Sequence, residues 1–182
     1  QVPLLYATGV RLSTRQNLRV MDYNRFEQKW HMLDDCDDGE RVVVNYPENF
    51  IGEDVAIAMT FTVSIAESQL PSSLTDKTIW IRLDGRGPRA DAFSSEEKMK
   101  SALRTVHDLI RNLRSREGYE KIEKVHLFIA AQASTVVKLG SEYQSNIYPE
   151  IRIYHFQGAE GKYSWAISIR NGKFYILDKI SL

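Results

Sequence analysis

The sequence predicts an α/β domain, a mostly parallel sheet flanked by helices and finished by an antiparallel C-terminal hairpin. Three observations carry this. VAIAMTFTVSI (Val55–Ile65) is a long apolar run with no charge, as a strand buried on both faces requires. Met99, Leu103, Val106, Ile110 and Leu113 step by four and three, one apolar stripe on a helix of about 20 residues. Asn171–Gly172 separates two β-prone segments and reads as a two-residue hairpin turn.

Taken in order, PLLYATGVRLS (Pro3–Ser13) reads as a strand, and Asp22–Leu33 places Phe26, Trp30 and Leu33 at helical spacing. DDCDDGE (Asp34–Glu40) reads as a solvated acidic turn. It does not fit a calcium loop, because Cys36 stands where an oxygen ligand belongs and Asn45 holds the closing position. RVVVNY (Arg41–Tyr46) is β-branched and stops at Pro47. After Val55–Ile65 comes a second strand, Lys77–Leu83, ended by the turn-rich DGRGPR (Asp84–Arg89). Ser94, three residues before Glu97, predicts a capping box at the start of the long helix. Arg114 and Arg116 suit its carboxyl end and Gly118 stops it. A strand at Ile122–Ala130, a short helix at about Ser134–Tyr143 and a strand at Glu150–Phe156 follow, then Tyr163–Ile169 and Lys173–Leu177 around the turn. The order is β-β-α-β-α-β-hairpin, in a single domain spanning 1–182 with 1–54 its least legible part.

Composition narrows the function. With 24 Lys+Arg against 24 Asp+Glu the chain carries no basic surplus, which argues against direct DNA binding. No apolar run reaches the roughly 18–20 residues of a membrane span, and no signal peptide opens the chain. The single cysteine rules out an internal disulfide and a cysteine-rich zinc module, and points to a reducing cytoplasm. Its acidic surroundings disfavour a thiolate nucleophile. The start at Gln1 fits a segment of a longer protein. There is no G-x-S-x-G, P-loop, H-E-x-x-H or G-x-G-x-x-G, and His31, His107, His126 and His155 lack ligand spacing. The expectation is no metal, no cofactor and no catalytic residues.

Open parallel sheets bind ligands beyond the carboxyl ends of their strands. Those ends are Ser64–Ala66, Asp84–Arg89, Ala131–Ser134 and Phe156–Gly158. In AAQAS (Ala130–Ser134), Ala131 and Ala133 let backbone approach a ligand, Gln132 sits between them, and the helix opening at Ser134 offers its amides to an anion. Small residues also permit a tight strand-to-helix crossing, so packing and binding both remain open here. Arg82, Arg86 and Arg89 could hold phosphate or belong to a solvated basic loop. Tyr154, Phe156, Tyr163 and Trp165 cluster near a strand end, some as core and one or two as faces for a base.

Three stretches carry a resemblance: VAIAMTFTVSIAESQLP (Val55–Pro71), HDLIRNL (His107–Leu113) and VHLFIAAQASTVVKLGSEYQSNIYPEIRIYHFQ (Val125–Gln157). Together they resemble the SAVED domain, the CARF-like, Rossmann-like sensor of bacterial CBASS antiphage effectors, over roughly residues 55–170. The resemblance implies a cytoplasmic receptor for a cyclic di- or trinucleotide, with no cofactor and no enzyme activity of its own. It implies SAVED–SAVED self-association that activates a fused effector. The compact length is most similar to SAVED domains joined to an HNH endonuclease, whose ligands are cyclic GMP–AMP dinucleotides. Ala131, Gln132, Ala133 and Ser134 match the motif directly and Ser64 follows the first long strand. Arg86, Arg89, Tyr154, Phe156 and Trp165 complete the candidate ligand-binding set on chemical grounds. Two other readings stand beside it: a ring-nuclease-type enzyme that uses Ser64 or His155, and a plain protein-interaction module.

Overall fold

The structure, a computed structural model, describes residues 1–12, 18–24, 28–33 and 37–178. Helix α1 (Val2–Leu12) precedes a small hairpin of β1 (Met21–Asn24) and β2 (Lys29–Met32). Then come β3 (Val42–Asn45), β4 (Asp54–Thr60), the one-turn α2 (Ser72–Thr75), β5 (Thr78–Leu83) and the long α3 (Glu96–Asn112). Strand β6 (Lys124–Ala130), α4 (Ala133–Ser141), β7 (Glu150–Gln157), β8 (Lys162–Arg170) and β9 (Lys173–Asp178) follow. Seven strands form one sheet in the order β3-β5-β4-β6-β7-β8-β9. The four central strands are parallel, and β3 at one edge and β8–β9 at the other are antiparallel. Asn171 and Gly172 both adopt positive φ, 51° and 71°, as the hairpin turn between β8 and β9 demands.

Alternation along the strands divides the sheet's two faces. Val55, Ile57 and Met59 of β4, with Ile79, Ile81, Val125, Leu127, Ile151 and Ile153, face the main core beneath α1, α3 and α4. Ala56, Phe128, Tyr154 and Ala166 face the other way and are covered by Leu70 and Leu74 of the segment around α2, with Ile65 and the neighbouring Trp80, Tyr163 and Leu177 at the margin. The second face is therefore open toward β3 and β5, and that opening positions the site.

Several predicted elements differ. Pro3–Ser13 is helical through Leu12, because α1 docks closely on α4; Ser13 lies outside the described residues. Asp22–Leu33 is not a helix but the β1–β2 hairpin, turned at Gln28 with φ 54°. Its Trp30 is 65% exposed, so the helical spacing did not mark a buried stripe; Phe26 lies outside the described residues. The strand from Val55 stops at Thr60, five residues early, and a bend carries the chain to Ser64. The cap of α3 is Ser95 rather than Ser94: its hydroxyl accepts the Lys98 amide at 3.3 Å, and with Lys98 at that position no reciprocal glutamate box forms. The β-branched Arg41–Tyr46 does form a strand, β3, and what the sequence left open is its antiparallel pairing with β5 at the sheet edge.

Candidate functional site

A groove of about 770 Å³ opens on the less covered face, at the carboxyl ends of β4 and β5. Its floor is β3, β5 and β4: Val43 and Asn45, Trp80 and Arg82, and Thr60. Cross-strand register explains the grouping, since Val43 pairs with Arg82, Asn45 with Trp80, and Trp80 with Ala58. One wall is the bend carrying Ser64, Ile65 and Glu67; the other is the turn Asp84–Pro88. Arg82 is exposed and forms no ion pair with a described residue. Trp80 beside it is half-buried and offers ring surface to the groove. Ser64 is exposed on the rim, as its place after β4 predicts. Thr60 turns its hydroxyl to the Ile81 carbonyl at 3.3 Å. The groove thus combines a guanidinium with no ion pair among the described residues, hydroxyl and amide groups, and an aromatic face, the set that phosphate and base recognition uses.

The other two arginines are already engaged. Arg86 donates to Asp38 at 2.8 Å, and Arg89 to Asp38 at 3.0 Å and to both oxygens of Glu40. Lys98, 2% exposed, completes the cluster on Asp38 and Glu40. The Arg89 guanidinium, with Lys98 behind it, holds the Glu40 carboxyl far below the usual carboxylate range. The acidic run is exposed at Asp38 and Gly39, as a solvated turn would be, but Asp38 is ion-paired and Glu40 is buried; its beginning, with Cys36, lies outside the described residues.

The AAQAS turn is closed by internal partners. Gln132 accepts the Phe93 amide at 2.8 Å and returns a bond to the Phe93 carbonyl at 3.2 Å. Its amide nitrogen also donates to Asp22 at 3.0 Å. Asp22 further accepts from the Ser134 hydroxyl at 2.6 Å and faces the Ser134 amide at 3.4 Å. The anion expected at the start of α4 is thus the protein's own carboxylate, 8% exposed. Ala131 is half-buried against the main core and Ala133 is exposed.

Of the late aromatics, Tyr154 is core: 2% exposed, stacked on Phe128 at 4.7 Å, with its hydroxyl 2.7 Å from His126 Nδ1. It offers no face to a base. Trp165 packs with His155 on the α1 side of the sheet, Tyr163 and Trp165 are half-buried, and Phe156, 36% exposed against Tyr163, presents the most ring surface. His155 Nδ1 is bound to the Gln1 amine at 2.6 Å, so Ser64 and His155 do not converge. The structure brings Ser64 and Arg82 together and leaves the remaining candidates elsewhere. Reading the sequence missed Asn45, Trp80 and Glu67. The signal for Trp80 was there, because I-W-I-R-L alternates and puts Trp80 and Arg82 on the face away from Ile79, Ile81 and Leu83. Among the described residues no group of acidic, histidine or cysteine side chains could hold a metal, and no helix is long and apolar enough to cross a membrane.

The sequence profile of the SMODS-associated and fused to various effectors sensor domain (SAVED) matches residues 1–169, and so takes in the first 54 residues as well. The fold is similar to the Cap4 SAVED/CARF-domain containing receptor of Acinetobacter baumannii with the cyclic trinucleotide 2'3'3'-cAAA, at TM-score 0.65 and 17% identity over 90% of this chain. The same receptor with 3'3'3'-cAAA gives 0.64 and 18%, and the Moraxella osloensis Cap4 receptor 0.56 and 15% over 100% of this chain. Each match covers 35% of the receptor chain, so this chain spans about a third of their length. No curated protein sequence matches significantly.

Proposed function

Because the chain belongs to the SAVED family of sensor domains, we propose that it binds a cyclic oligonucleotide in the groove at the ends of β4 and β5. The observation that carries this is Arg82, an exposed guanidinium without an ion pair to any described residue, next to Trp80 on the floor and facing Ser64 on the rim. Arg82 takes a phosphate with paired N–H donors. Trp80 supplies a flat face for a base. Ser64 and Asn45 complete hydrogen bonds to sugar or base edges. The zero net charge is no obstacle, because one phosphate contact inside a groove needs a local cation and no basic exterior.

The Acinetobacter baumannii Cap4 receptor, similar in fold, holds the cyclic trinucleotides 2'3'3'-cAAA and 3'3'3'-cAAA. The finer expectations for this chain are a cyclic GMP–AMP dinucleotide as ligand, self-association on binding, and activation of a fused HNH nuclease in the cytoplasm. These rest on the SAVED resemblance and on the length of the domain. A panel of cyclic di- and trinucleotides of defined bases and linkage tests the reading by calorimetry and thermal shift. One member should bind and raise Tm by several degrees, and Arg82→Ala should weaken it about 10–100-fold, the loss of a charge-assisted contact of roughly 1.5–3 kcal/mol. Absence of binding across the panel, or unchanged affinity in Arg82→Ala, overturns it. Mass measurement before and after ligand addition reads the self-association.

A further inference from the structure

The wall of the groove opposite Ser64 is tied at its two ends: Asp84 exchanges bonds with Arg41, its amide donating to the Arg41 carbonyl at 2.9 Å and its carboxylate accepting the Arg41 amide at 2.8 Å, and the Arg89 amide donates to the Phe61 carbonyl at 3.0 Å. Between those ends Gly85, Arg86 and Pro88 are exposed, and what meets the middle of the turn from behind is one buried carboxylate. Glu40, 9% exposed, accepts the Arg86 amide at 2.7 Å on Oε1 and the Arg89 guanidinium on both oxygens. Its Oε2 is anchored by Lys98 Nζ at 2.6 Å, and Lys98 lies in the first turn of α3. The fit against Gly85 is tight. A methyl group there would lie 2.1 Å from Glu40 Oε1 and 2.5 and 2.6 Å from its Cγ and Cδ. That methyl would point at Glu40, not into the groove. Asp38 touches the same three cations at 2.8–3.0 Å, through side chains only and without a bond to a turn amide.

We propose that Glu40 is the positioning residue of the ligand groove: it ties the backbone of Asp84–Arg89 to α3 and so fixes the wall that faces Trp80 and Arg82. The glycine at position 85 is part of the same device, because only a residue without a side chain lets the turn close on the carboxylate. Arg86 and Arg89, whose spacing suggested phosphate ligands, hold the turn in place and leave Arg82 as the cation for the ligand. The proposal rests on the groove reading above but has a readout that needs no ligand.

Amide hydrogen exchange over Asp84–Arg89 in the full chain decides it, with Glu40→Gln, Gly85→Ala and Asp38→Asn compared with wild type. Glu40→Gln and Gly85→Ala should speed exchange in this segment at least tenfold while β4 and β6 keep their protection. Asp38→Asn, which removes an equal charge from the cluster but no bond to an amide of the turn, and whose amide oxygen can still accept the Glu40 N–H, should leave the segment within about twofold of wild type. Ligand affinity should fall about tenfold or more in the first two variants and stay within threefold in the third. Unchanged exchange in both Glu40→Gln and Gly85→Ala overturns the proposal, as does an equal effect of Asp38→Asn, which would assign the hold to net charge. If no panel nucleotide binds wild type, the groove reading fails while the exchange pattern still decides what Glu40 does.

Discussion

Gly9 and Gly140 let two helix backbones touch. A Cβ at Gly140 would stand 2.1 Å from the Tyr6 carbonyl oxygen, and one at Gly9 would stand 2.1 Å from that of Val137. Neither neighbour is a side chain that could turn aside, so Gly140→Ala must separate α1 from α4. We expect a loss of roughly 1–3 kcal/mol, as for an overfilled core, which urea unfolding would register. Equal stability of Gly140→Ala and wild type would mean that the crossing is looser than drawn. Residue-scale detail of this kind hides in plain text: Gly140, inside the helix expected at about Ser134–Tyr143, shows no purpose until its partner Tyr6, more than a hundred residues away, is known. Arg82, Arg86 and Arg89 look alike for the same reason. What separates them is Asp38 and Glu40, over forty residues upstream, which bond two of the three and leave Arg82 to the groove.

Helix α4 depends on an element far from it in sequence. Its N-cap residue Gln132 makes no side-chain cap bond, being turned to Phe93, and Asp22 of β1 does the work. The same bonds hold the β1–β2 hairpin down, because Met21, Tyr23, Trp30 and Met32 all face solvent at 44–65% exposure and, among the described residues around it, Val20 and Leu33 reach the core. Asp22→Ala should therefore cost about 1–2 kcal/mol and raise amide exchange in both β1 and the first turn of α4. If only β1 responds, the cap is not what Asp22 provides. The elements legible beforehand were those whose pattern is long and local: α3 with its five-residue stripe, the buried β4 and β6, and the Asn171–Gly172 turn. Helix α1 and the hairpin were misread because eleven or twelve residues of mixed apolar character satisfy both periods, and tertiary contact makes the choice. The groove was half legible. Ser64 and Arg82 follow from strand ends, whereas Glu67 and Asn45 enter only once β3 is known to pair beside β5.

At the scale of the whole molecule, each face of the sheet carries a buried histidine against a tyrosine. His107 Nδ1 meets the Tyr148 hydroxyl under α3, with Glu142 3.4 Å from Nε2. His126 Nδ1 meets Tyr154 on the opposite face, with Asp54 3.7 Å from Nε2. Burial lowers both imidazoles to about 4, against an ordinary value near 6.5. Both are therefore neutral in the folded chain at neutral pH, and the sign of the linkage follows. Below pH 6.5 the unfolded chain binds two protons at these positions that the folded chain refuses, so their contribution to stability falls as pH drops toward 4. Each histidine contributes a slope approaching roughly 1.4 kcal/mol per pH unit, on the order of 3 kcal/mol over the window. Between pH 6.5 and 5.0 most carboxylates have yet to titrate, so unfolding free energies measured there report mainly on histidines, with a smaller share from His155, which burial and the Gln1 amine also lower, and an opposing one from Glu142, which burial raises. His126→Gln and His107→Gln should each remove a similar large share of the slope, since the two sit on opposite faces and share no partner. A flat profile across that interval in wild type would show that neither imidazole is held neutral, and that water reaches the sheet from both sides.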